Sequence, residues 1–384
     1  MLKLSNAFWG QSKSSDFASL DLLKAGARAG IWRQASSGFW ELDAFGAEAL
    51  SRLEARQRGL MSRLGSHQAR FSLLQEQELW DATGRDKDYG EELYGLVDRR
   101  GRRMRLAATA EEAATRAATE HAQAGGARSM WCHQIGDKWR DETRARGGLS
   151  RSREFRMLDA YSFCQNIDEA RDIHQATLAA WLSELEALGL SVEARQADCG
   201  EVGGLESVEI VARSEAFGDE RGELELAHLF LLGDRYSRAF GLRGKDGSFM
   251  QMGCQGLGTT RLLAALCESR RRDTGFFGDE AFHARLFWVC ALDFQADQAA
   301  RTLAMALMEA GGGDAILDDR DLAAGRKLRE AEMGLCAHRL VSSRRLAAQG
   351  MVEVRSMDGS LSEAWTLDRS LSWMKERRVE LALR

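Results

Sequence analysis

Residues 135–163 read IGDKWRDETRARGGLSRSREFRMLDAYSF, and their two ends have the pattern of β-strands. The charged, glycine-containing segment at residues 144–148 predicts a loop between these strands. A long amphipathic pattern follows at residues 168–188 and stops at Gly189, which is typical of a helix closed by glycine. The stretch therefore predicts two antiparallel strands followed by a helix.

The flanking sequence extends this pattern in both directions. Apolar residues at helical spacing predict helices at residues 20–26, 46–65 and 110–122. A hairpin is predicted at residues 93–106, and further strands at 208–212, 224–232 and 249–254. Because helices and strands are segregated rather than alternating, we expect an α+β fold, with an antiparallel sheet and flanking helices.

The pattern changes after residue 275. Strands are predicted at residues 286–292, 315–317 and 339–341, with helices at 296–310 and 325–332 between them. This alternation is typical of a small α/β domain on a parallel-type sheet. We therefore predict two domains, at residues 1–279 and 280–384.

Composition limits the class of protein. The chain has 384 residues and a net charge of -5, so it lacks the overall basic charge of many nucleic-acid-binding proteins. Its seven cysteines are scattered without a C-x-x-C pair, and of its seven histidines only His133 and His338 lie near a cysteine, with no second pair at ligand spacing. No disulfide framework and no protein-built metal site are therefore predicted. With no signal peptide or membrane-spanning run, a cytoplasmic location without membrane contact is expected.

Two segments carry candidate chemistry. Arg140 and Glu142 would share one face of a strand, where arginine suits a phosphate and a carboxylate suits an adenine amino group, with Phe155 stacking on the base. The alternative is a solvated ladder of salt bridges. In the second segment, glycines at 253, 256 and 258 would let a nucleotide approach the backbone near Arg261, although a glycine-rich turn before a packed helix explains them equally well.

Two further segments have simpler interpretations. Residues 109–112 (Thr-Ala-Glu-Glu) predict the capped start of a helix. Residues 318–321 (Asp-Asp-Arg-Asp) predict a solvated loop at a strand end.

Taken in order, these segments resemble the prolyl-tRNA synthetase family over nearly the whole chain. Residues 28–34 (RAGIWRQ), with Gly38 and Gly46, resemble the first class II motif, which forms the dimer interface in that family. Arg140 through Phe155 resemble the second motif, and Gly256, Gly258 and Arg261 the third. Residues 318–321 are similar to the family's anticodon-binding domain.

The resemblance implies a class II synthetase antiparallel sheet at residues 1–279 and a C-terminal α/β anticodon-binding domain at 280–384. It implies ATP-dependent attachment of L-proline to its tRNA through a prolyl-adenylate. Its implied site residues fall into four groups. The catalytic residues are Arg140, Glu142 and Arg261; the proline-binding residues are Thr109, Glu111, Arg140 and Phe230; the ATP-binding residues are Arg140, Glu142, Arg151, Ser152, Glu225, His228 and Arg261; and the anticodon-binding residues are Asp319 and Arg320.

The same resemblance implies the partners. ATP with Mg²⁺, L-proline and the tRNA for proline are expected to bind, and the chain is expected to form a homodimer without binding DNA. Only about thirty residues separate Phe163 from Asp198, so the large editing insertion of many bacterial members is expected to be absent. The chain matches the family's compact type.

The sequence departs from the family at three pocket positions. Ala110 and Val208 stand where the family usually has histidine, and Gln255 replaces a usual tyrosine. These departures leave open a catalytically altered paralogue that activates a proline analogue or acts as a regulatory subunit.

Proline is entirely absent, whereas roughly 19 would be expected at the usual frequency of about 5%. The family's customary prolines are replaced by Ala44, Ser72, Glu76, Ala108 and Ala145. Exclusion by design and exclusion by selection both remain open. Under selection, an enzyme that supplies prolyl-tRNA without needing it for its own synthesis could be made during proline starvation.

Overall fold

The computed structural model describes residues 2–7, 17–145, 147–200 and 203–382. Arg146, in the predicted loop at 144–148, lies outside the described residues. Two compact units are present. The central unit comprises the described residues within Gln34–Trp40 and Leu53–Ala265, and the terminal unit those within Met1–Arg33, Glu41–Arg52 and Leu266–Arg384.

The strands of the described chain are, in order, β1 (Leu2–Lys3), β2 (Trp32–Ser36), β3 (Phe39–Leu42), β4 (His67–Gln68), β5 (Leu74–Glu76), β6 (Gly95–Val97), β7 (Arg103–Leu106), β8 (Met130–Trp139), β9 (Glu154–Cys164), β10 (Val192–Gln196), β11 (Glu206–Arg213), β12 (Glu223–Gly233), β13 (Gln251–Gly258), β14 (Arg271–Arg272), β15 (Gly275–Phe276), β16 (Arg285–Ala291), β17 (Ala315–Asp318), β18 (Cys336–Ser342), β19 (Met351–Ser356) and β20 (Ser362–Thr366).

The helices are α1 (Leu22–Ala29), α2 (Ala44–Arg63), α3 (Gln77–Thr83), α4 (Arg85–Tyr89), α5 (Glu111–Gly125), α6 (Ile167–Ala187), α7 (Arg235–Phe240), α8 (Thr259–Ser269), α9 (Gln298–Gly311), α10 (Ala324–Ala331), α11 (Arg344–Ala348) and α12 (Leu367–Ala382). None of the helices in the described ranges combines the length and apolar character needed to cross a membrane.

The central unit is built on a seven-stranded sheet in the order β10-β11-β12-β13-β9-β8-β4. Its strands are antiparallel apart from the parallel pair β4 and β8. The long hairpin of β8 and β9, predicted from residues 135–163, lies in this sheet. The predicted α+β class with an antiparallel sheet is confirmed.

Strand alternation gives this sheet two different faces. Tyr161 and Phe163 of β9, with Cys254 of β13, pack in one core cluster with alanines of α5. On the other face, Cys164 and Leu231 pack against α6. The Asn166 side chain caps α6 by accepting from the Glu169 amide at 2.9 Å. The face toward α5 carries the candidate site described below.

Two local predictions in this unit are wrong. The predicted strand through Glu142 ends at Trp139, because the Arg140 amide donates to the Arg153 carbonyl and the Asp141 amide to the Glu92 carbonyl. The glycines before Arg261 do not form a turn either. They lie inside β13, which continues to Gly258 and passes directly into α8 at Thr259.

The terminal unit contains a six-stranded sheet in the order β1-β17-β16-β18-β19-β20. The strands from β1 to β18 in this order are parallel, as the alternating pattern predicted, and β19 and β20 add an antiparallel edge. A core cluster that includes Leu303 of α9 and Met374 of α12 packs against this sheet. Asp297 caps α9 through the Ala300 amide at 2.8 Å.

Candidate functional site

A buried carboxylate, Glu111, lies at the first turn of α5. The Thr109 hydroxyl donates to its Oε2 atom at 2.5 Å, Arg85 Nη1 donates to the same oxygen at 2.9 Å, and Cys254 Sγ lies 3.2 Å from Oε1. The predicted capping role of Thr109 is therefore wrong, because its hydroxyl bonds this carboxylate, and the N-cap residue Ala110 makes no side-chain cap.

The charge state of Glu111 follows from these contacts. Burial raises the pKa of the carboxyl, but the Arg85 guanidinium and the Thr109 hydroxyl outweigh burial and lower the pKa to about 2. Glu111 is thus a buried, ionised carboxylate at neutral pH. Such a group suits a bound ammonium or imino cation.

Arg85 also pairs with the neighbouring carboxylate, Glu112. Its Nη1 lies 3.1 Å from Glu112 Oε1, which also accepts from the Thr83 hydroxyl at 2.9 Å. Burial and the nearby Glu111 charge raise the pKa of Glu112, against the opposing effect of Arg85. Arg85 thus holds two adjacent carboxyl groups together at the start of α5.

A second buried network supports the backbone here. The Ala110 amide donates to the Tyr161 hydroxyl at 3.1 Å, and that hydroxyl donates to Asp159 Oδ2 at 2.5 Å. Lys138 Nζ lies 3.0 Å from Asp159 Oδ1, and Gln134 donates to Oδ2 at 2.9 Å. These interactions fix the segment between Thr109 and Glu111.

Arg140 lies directly after β8 and reaches toward the same segment. Its Nη2 atom lies 3.5 Å from the Ala108 carbonyl, one residue before Thr109. Its guanidinium lies 5.3 Å from the Phe155 ring centroid, and its Nε atom is buried without a hydrogen-bond partner among the described residues. A cationic group with donor capacity available for an anion therefore lies beside the segment that leads into Thr109 and Glu111.

Glu142 and Arg151 form an ion pair between the ends of β8 and β9, with Arg151 Nε 2.6 Å from Glu142 Oε2. Burial acts to raise the pKa of Glu142, but Arg151 and the Arg144 amide lower it overall. The Ser152 hydroxyl donates to the Glu154 carbonyl at 2.7 Å. These three predicted ATP-binding residues lie close together in the loop between the two strands.

Glu225 of β12 and Arg261 of α8 form the opposite part of the site. Arg261 Nη1 lies 3.4 Å from Glu225 Oε2, and Arg261 Nε donates to the Ser150 carbonyl at 2.8 Å. A Cβ at Gly258 would lie only 3.3 Å from Cδ of Arg261, so glycine leaves room for this side chain. Burial raises the pKa of Glu225, but His228, Arg261 and Arg140 lower it to about 2.

His228 and Phe230 lie on the same face of β12 as stacked rings with centroids 4.0 Å apart. His228 Nε2 lies 2.6 Å from the Ser207 hydroxyl, and Nδ1 lies 3.4 Å from Glu225 Oε1. Phe230 pairs with Cys254 across the sheet, and Cys254 contacts Glu111. β12 therefore connects the Glu225 and Arg261 end of the site to the Glu111 end.

Glu209, Glu225 and His228 each place one possible ligand atom within 4.8 Å of the others. Carboxylate oxygens are preferred ligands of Mg²⁺, whereas imidazole is not. The two glutamates therefore fit a magnesium ion that arrives with phosphate oxygens.

The two residues predicted to bind the anticodon lie in the terminal unit, just after β17. Asp319 accepts from the Ser5 amide and hydroxyl at 3.1 and 2.8 Å. Arg320 forms ion pairs with Asp318 at 2.8 Å and Glu330 at 2.5 Å. Their predicted role remains a prediction.

Several residues of the central site could not be identified from single sequence segments. Arg85, Glu112, Tyr161 and Cys254 were not assigned roles, although each contributes to the surroundings of Glu111. Arg85 lies in a charged segment, residues 81–92, so the sequence alone gave no sign that its side chain is buried beside a carboxylate partner. The identity of that partner, 26 residues further along, required the fold.

The antiparallel sheet of the central unit, the ion pairs of the site and the match to a family model together define a class II aminoacyl-tRNA synthetase. Residues 94–270 match the family model of the tRNA synthetase class II core domain (G, H, P, S and T). Solved structures of similar fold include prolyl-tRNA synthetase from Cryptosporidium parvum with halofuginone and AMPPNP, at a TM-score of 0.78 and 15% identity, covering 98% of this chain and 83% of that one.

Curated relatives give the particular family. The proline–tRNA ligase of Xanthobacter autotrophicus is 30% identical over 401 residues, covering 87% of this chain and 90% of that protein. That of Rhizobium leguminosarum bv. trifolii is 28% identical over 410 residues, covering 90% and 93%. The chain belongs to the proline–tRNA ligase family.

Proposed function

We propose that this chain joins L-proline to its cognate tRNA in two steps. Proline and ATP first form prolyl-adenylate with release of pyrophosphate, and the prolyl group then passes to the tRNA with release of AMP. One observation supports the class of substrate. The ionised carboxylate of Glu111 belongs to the short segment 108–111, and the cationic side chain of Arg140 contacts the start of that segment at the Ala108 carbonyl. The two groups therefore match the two charges of a zwitterionic amino acid.

Proline would bind with its cationic imino group at Glu111 and Thr109. Its carboxylate would meet Arg140, whose Nε atom has no partner among the described residues. The ring would lie against Phe230, which is 8% exposed. Fixing both charges orients the carboxylate oxygen for attack on the α-phosphate.

ATP would bind between the loop after β8 and the start of α8. Arg140 and Arg261 would contact phosphate oxygens, and Arg151, Ser152 and His228 would complete the nucleotide site, with Glu142 next to the adenine. These cationic groups would stabilise the negative charge that develops on the α-phosphate and the leaving pyrophosphate. No covalent bond between substrate and enzyme is required.

Mg²⁺ would enter with the nucleotide and be held by Glu225 and Glu209. When bound, it would neutralise phosphate charge. Glu225 fits this role because its carboxyl is ionised, with a pKa of about 2.

The terminal unit would bind the anticodon through Asp319 and Arg320, and two copies of the chain would pair through the segment around residues 28–38. Both proposals rest on the family resemblance, as does a cytoplasmic location. Salt dependence of tRNA binding, measured with and without Arg320→Ala, tests the first, and sedimentation of the purified chain tests the second.

The activity itself is tested by charging total bacterial tRNA with radiolabelled proline, alanine or azetidine-2-carboxylate. We expect proline to be attached and the Glu111→Gln variant to lose this activity, because an amide lacks the charge that balances the imino cation. A matched Glu193→Gln variant, changed at an exposed position of β10, should retain it. Charging with the analogue alone, or no charging, would support the altered paralogue instead.

A further inference from the structure

The terminal unit contains a cavity of about 530 Å³ that no step of the proposed reaction uses. It is bounded by the loop at residues 279–281, the adjacent strands β18 and β19, and α12. Its volume lies within the range of about 300–1,000 Å³ that is typical of small-molecule sites.

This cavity lies away from the predicted anticodon residues. β18 and β17 both run parallel to β16, and His338 of β18 is level with Phe287, whereas Asp318 is level with Cys290. Asp319 and Arg320 therefore follow the carboxyl ends of the parallel strands, while His338 lies roughly 10 Å closer to their amino ends, at about 3.3 Å per residue. The cavity is a separate site within the same unit.

His338 provides the polar group that this cavity leaves unsatisfied. The residue is 5% exposed, and its Nδ1 atom lies 2.9 Å from the Ser356 hydroxyl. Its Nε2 atom has no hydrogen-bond partner among the described residues and lies 3.8 Å from Glu280 Oε1. That distance is too long for a direct hydrogen bond. In the tautomer in which Nδ1–H donates to Ser356, Nε2 is a buried acceptor without a partner among the described residues that faces a carboxylate across a gap.

The ring of His338 is held in place on both sides. Its centroid lies 4.8 Å from that of Trp373 and 5.8 Å from that of Phe287. These contacts and the Ser356 hydrogen bond favour the present orientation of the ring. A ligand with N–H donors can instead satisfy His338 Nε2 and add a second contact to Glu280 Oε1, which already accepts from Arg377 at 3.3 Å.

The charges around the cavity select the sign of that ligand. Asp279, Glu280 and Asp358 line it, and Arg377 is the one arginine or lysine among the described lining residues. Arg377 pairs with Glu280 at 3.3 Å and Glu380 at 3.0 Å. Arg270 pairs with Asp279 at 2.9 Å, and Arg272 donates to the Asp358 carbonyl at 3.0 Å from the rim. Phosphate groups would meet this carboxylate-rich lining unfavourably, and an ammonium ion would meet it favourably.

We propose that this cavity binds a small organic ammonium ion whose N–H groups bridge His338 Nε2 and Glu280 Oε1. The carbon chain of the ligand would lie against the Trp373 ring, which attracts cations through its π face. An aliphatic diamine has the charge, donors and size that this arrangement requires. The proposal is independent of the synthetase reaction.

The test is calorimetric titration of the full chain with putrescine, compared with tetramethylammonium and with inorganic phosphate. We expect saturable binding of putrescine below about 10 mM. Tetramethylammonium carries the charge without an N–H donor, so it should bind at least about tenfold more weakly. Phosphate should not bind.

Two substitutions locate the site. Glu280→Gln should weaken putrescine binding at least about tenfold because it removes the charged acceptor. Glu363→Gln, which removes an equal charge on β20 outside the cavity lining, should leave it unchanged. Melting curves of both variants check that they fold, and His338→Gln provides a second test of the bridge.

The proposal is overturned if putrescine does not saturate, if tetramethylammonium binds equally well, or if both glutamate variants weaken binding to the same extent. NMR titration of His338 in the chain without added amine is a second, independent test of the proposal. A ring that is already protonated at about pH 8 without amine would pair with Glu280 itself, and this result would also overturn the proposal.

Discussion

Arg85 Nη1 lies 2.9 Å from Glu111 Oε2, and the two side chains are 0% and 4% exposed. The pair keeps Glu111 ionised in a buried position, against the cost of removing its charge from water. Since Arg85 also bonds Glu112 at 3.1 Å, one guanidinium sets the charge of the proposed imino-binding pocket. Both contacts come from Nη1, while Nη2 donates to the Tyr89 hydroxyl at 3.4 Å. A lysine ammonium has a single nitrogen and cannot make all of these contacts from two separate positions.

Replacing Arg85 by lysine should therefore weaken proline activation. The pKa of Glu111, now about 2, should rise because burial is less well opposed. We expect the KM for proline to rise at least about tenfold and the acid limb of kcat/KM to move to higher pH. Pyrophosphate-exchange rates measured across pH test this, with Arg102→Lys, at an exposed pair with Asp98, as control.

The same shift affects stability. In the native chain, the lowered pKa of Glu111 contributes stability that is present above its ordinary value of 4.5 and is lost as pH falls toward about 2. In the Arg85→Lys variant the pKa of Glu111 should be higher, so on acidification this contribution to stability should be lost at a higher pH than in the native chain. An unchanged acid limb and an unchanged acid unfolding midpoint would contradict the proposed role of Arg85.

Glu225→Gln should affect ATP more than proline. The substitution removes the charge that pairs with Arg261 and one of two proposed magnesium ligands. We expect the KM for ATP to rise about tenfold or more, with a smaller change for proline. Steady-state exchange kinetics at varied Mg²⁺ test this prediction, and equal losses for both substrates would count against it.

The backbone at Ala44 is expected to accept a proline. Ala44 is the first residue of α2, where a helix needs no amide donor, and it occupies one of the family's customary proline positions. Ala44→Pro should raise the free energy of unfolding by about 0.4–1 kcal/mol. Ala55→Pro, in the exposed middle of the same helix, should lower it by about 3 kcal/mol or more. Urea unfolding of both variants measures the difference.

Because the chain contains no proline, its own translation should not require prolyl-tRNA. In a translation system depleted of proline, this chain should be made at nearly its normal yield, because none of its 384 residues requires that tRNA. The matched control is the Ala44→Pro variant, which needs a single proline. Equal loss of yield for both chains would remove the functional interpretation of the missing residue.

Much of the architecture was predictable because it depends on local periodicity. The patterns of residues 135–163 and 168–188 correspond to β8, β9 and α6 with small shifts of their ends. β19 was not predicted, although the alternating burial of Met351–Ser356 shows that its sequence carried the signal. The antiparallel edge of the second sheet was missed with it.

Contacts between distant segments were not predictable in this way. The strand through Arg140 and Glu142 ends early because Asp141 bonds the Glu92 carbonyl, 49 positions earlier. Likewise, Arg85 is the first residue of the short helix α4, and its role depends on Glu111 being brought against it. Family resemblance located Thr109 and Glu111, whereas only the fold gave the charge state of Glu111.

The most direct test of the account is amino-acid-dependent exchange of pyrophosphate into ATP, with proline, alanine, cysteine and azetidine-2-carboxylate, in the native chain and in Arg140→Ala. We predict exchange with proline that is lost in a variant whose melting temperature is otherwise close to that of the native chain. Exchange that persists without Arg140, or that requires the analogue instead of proline, would contradict the account.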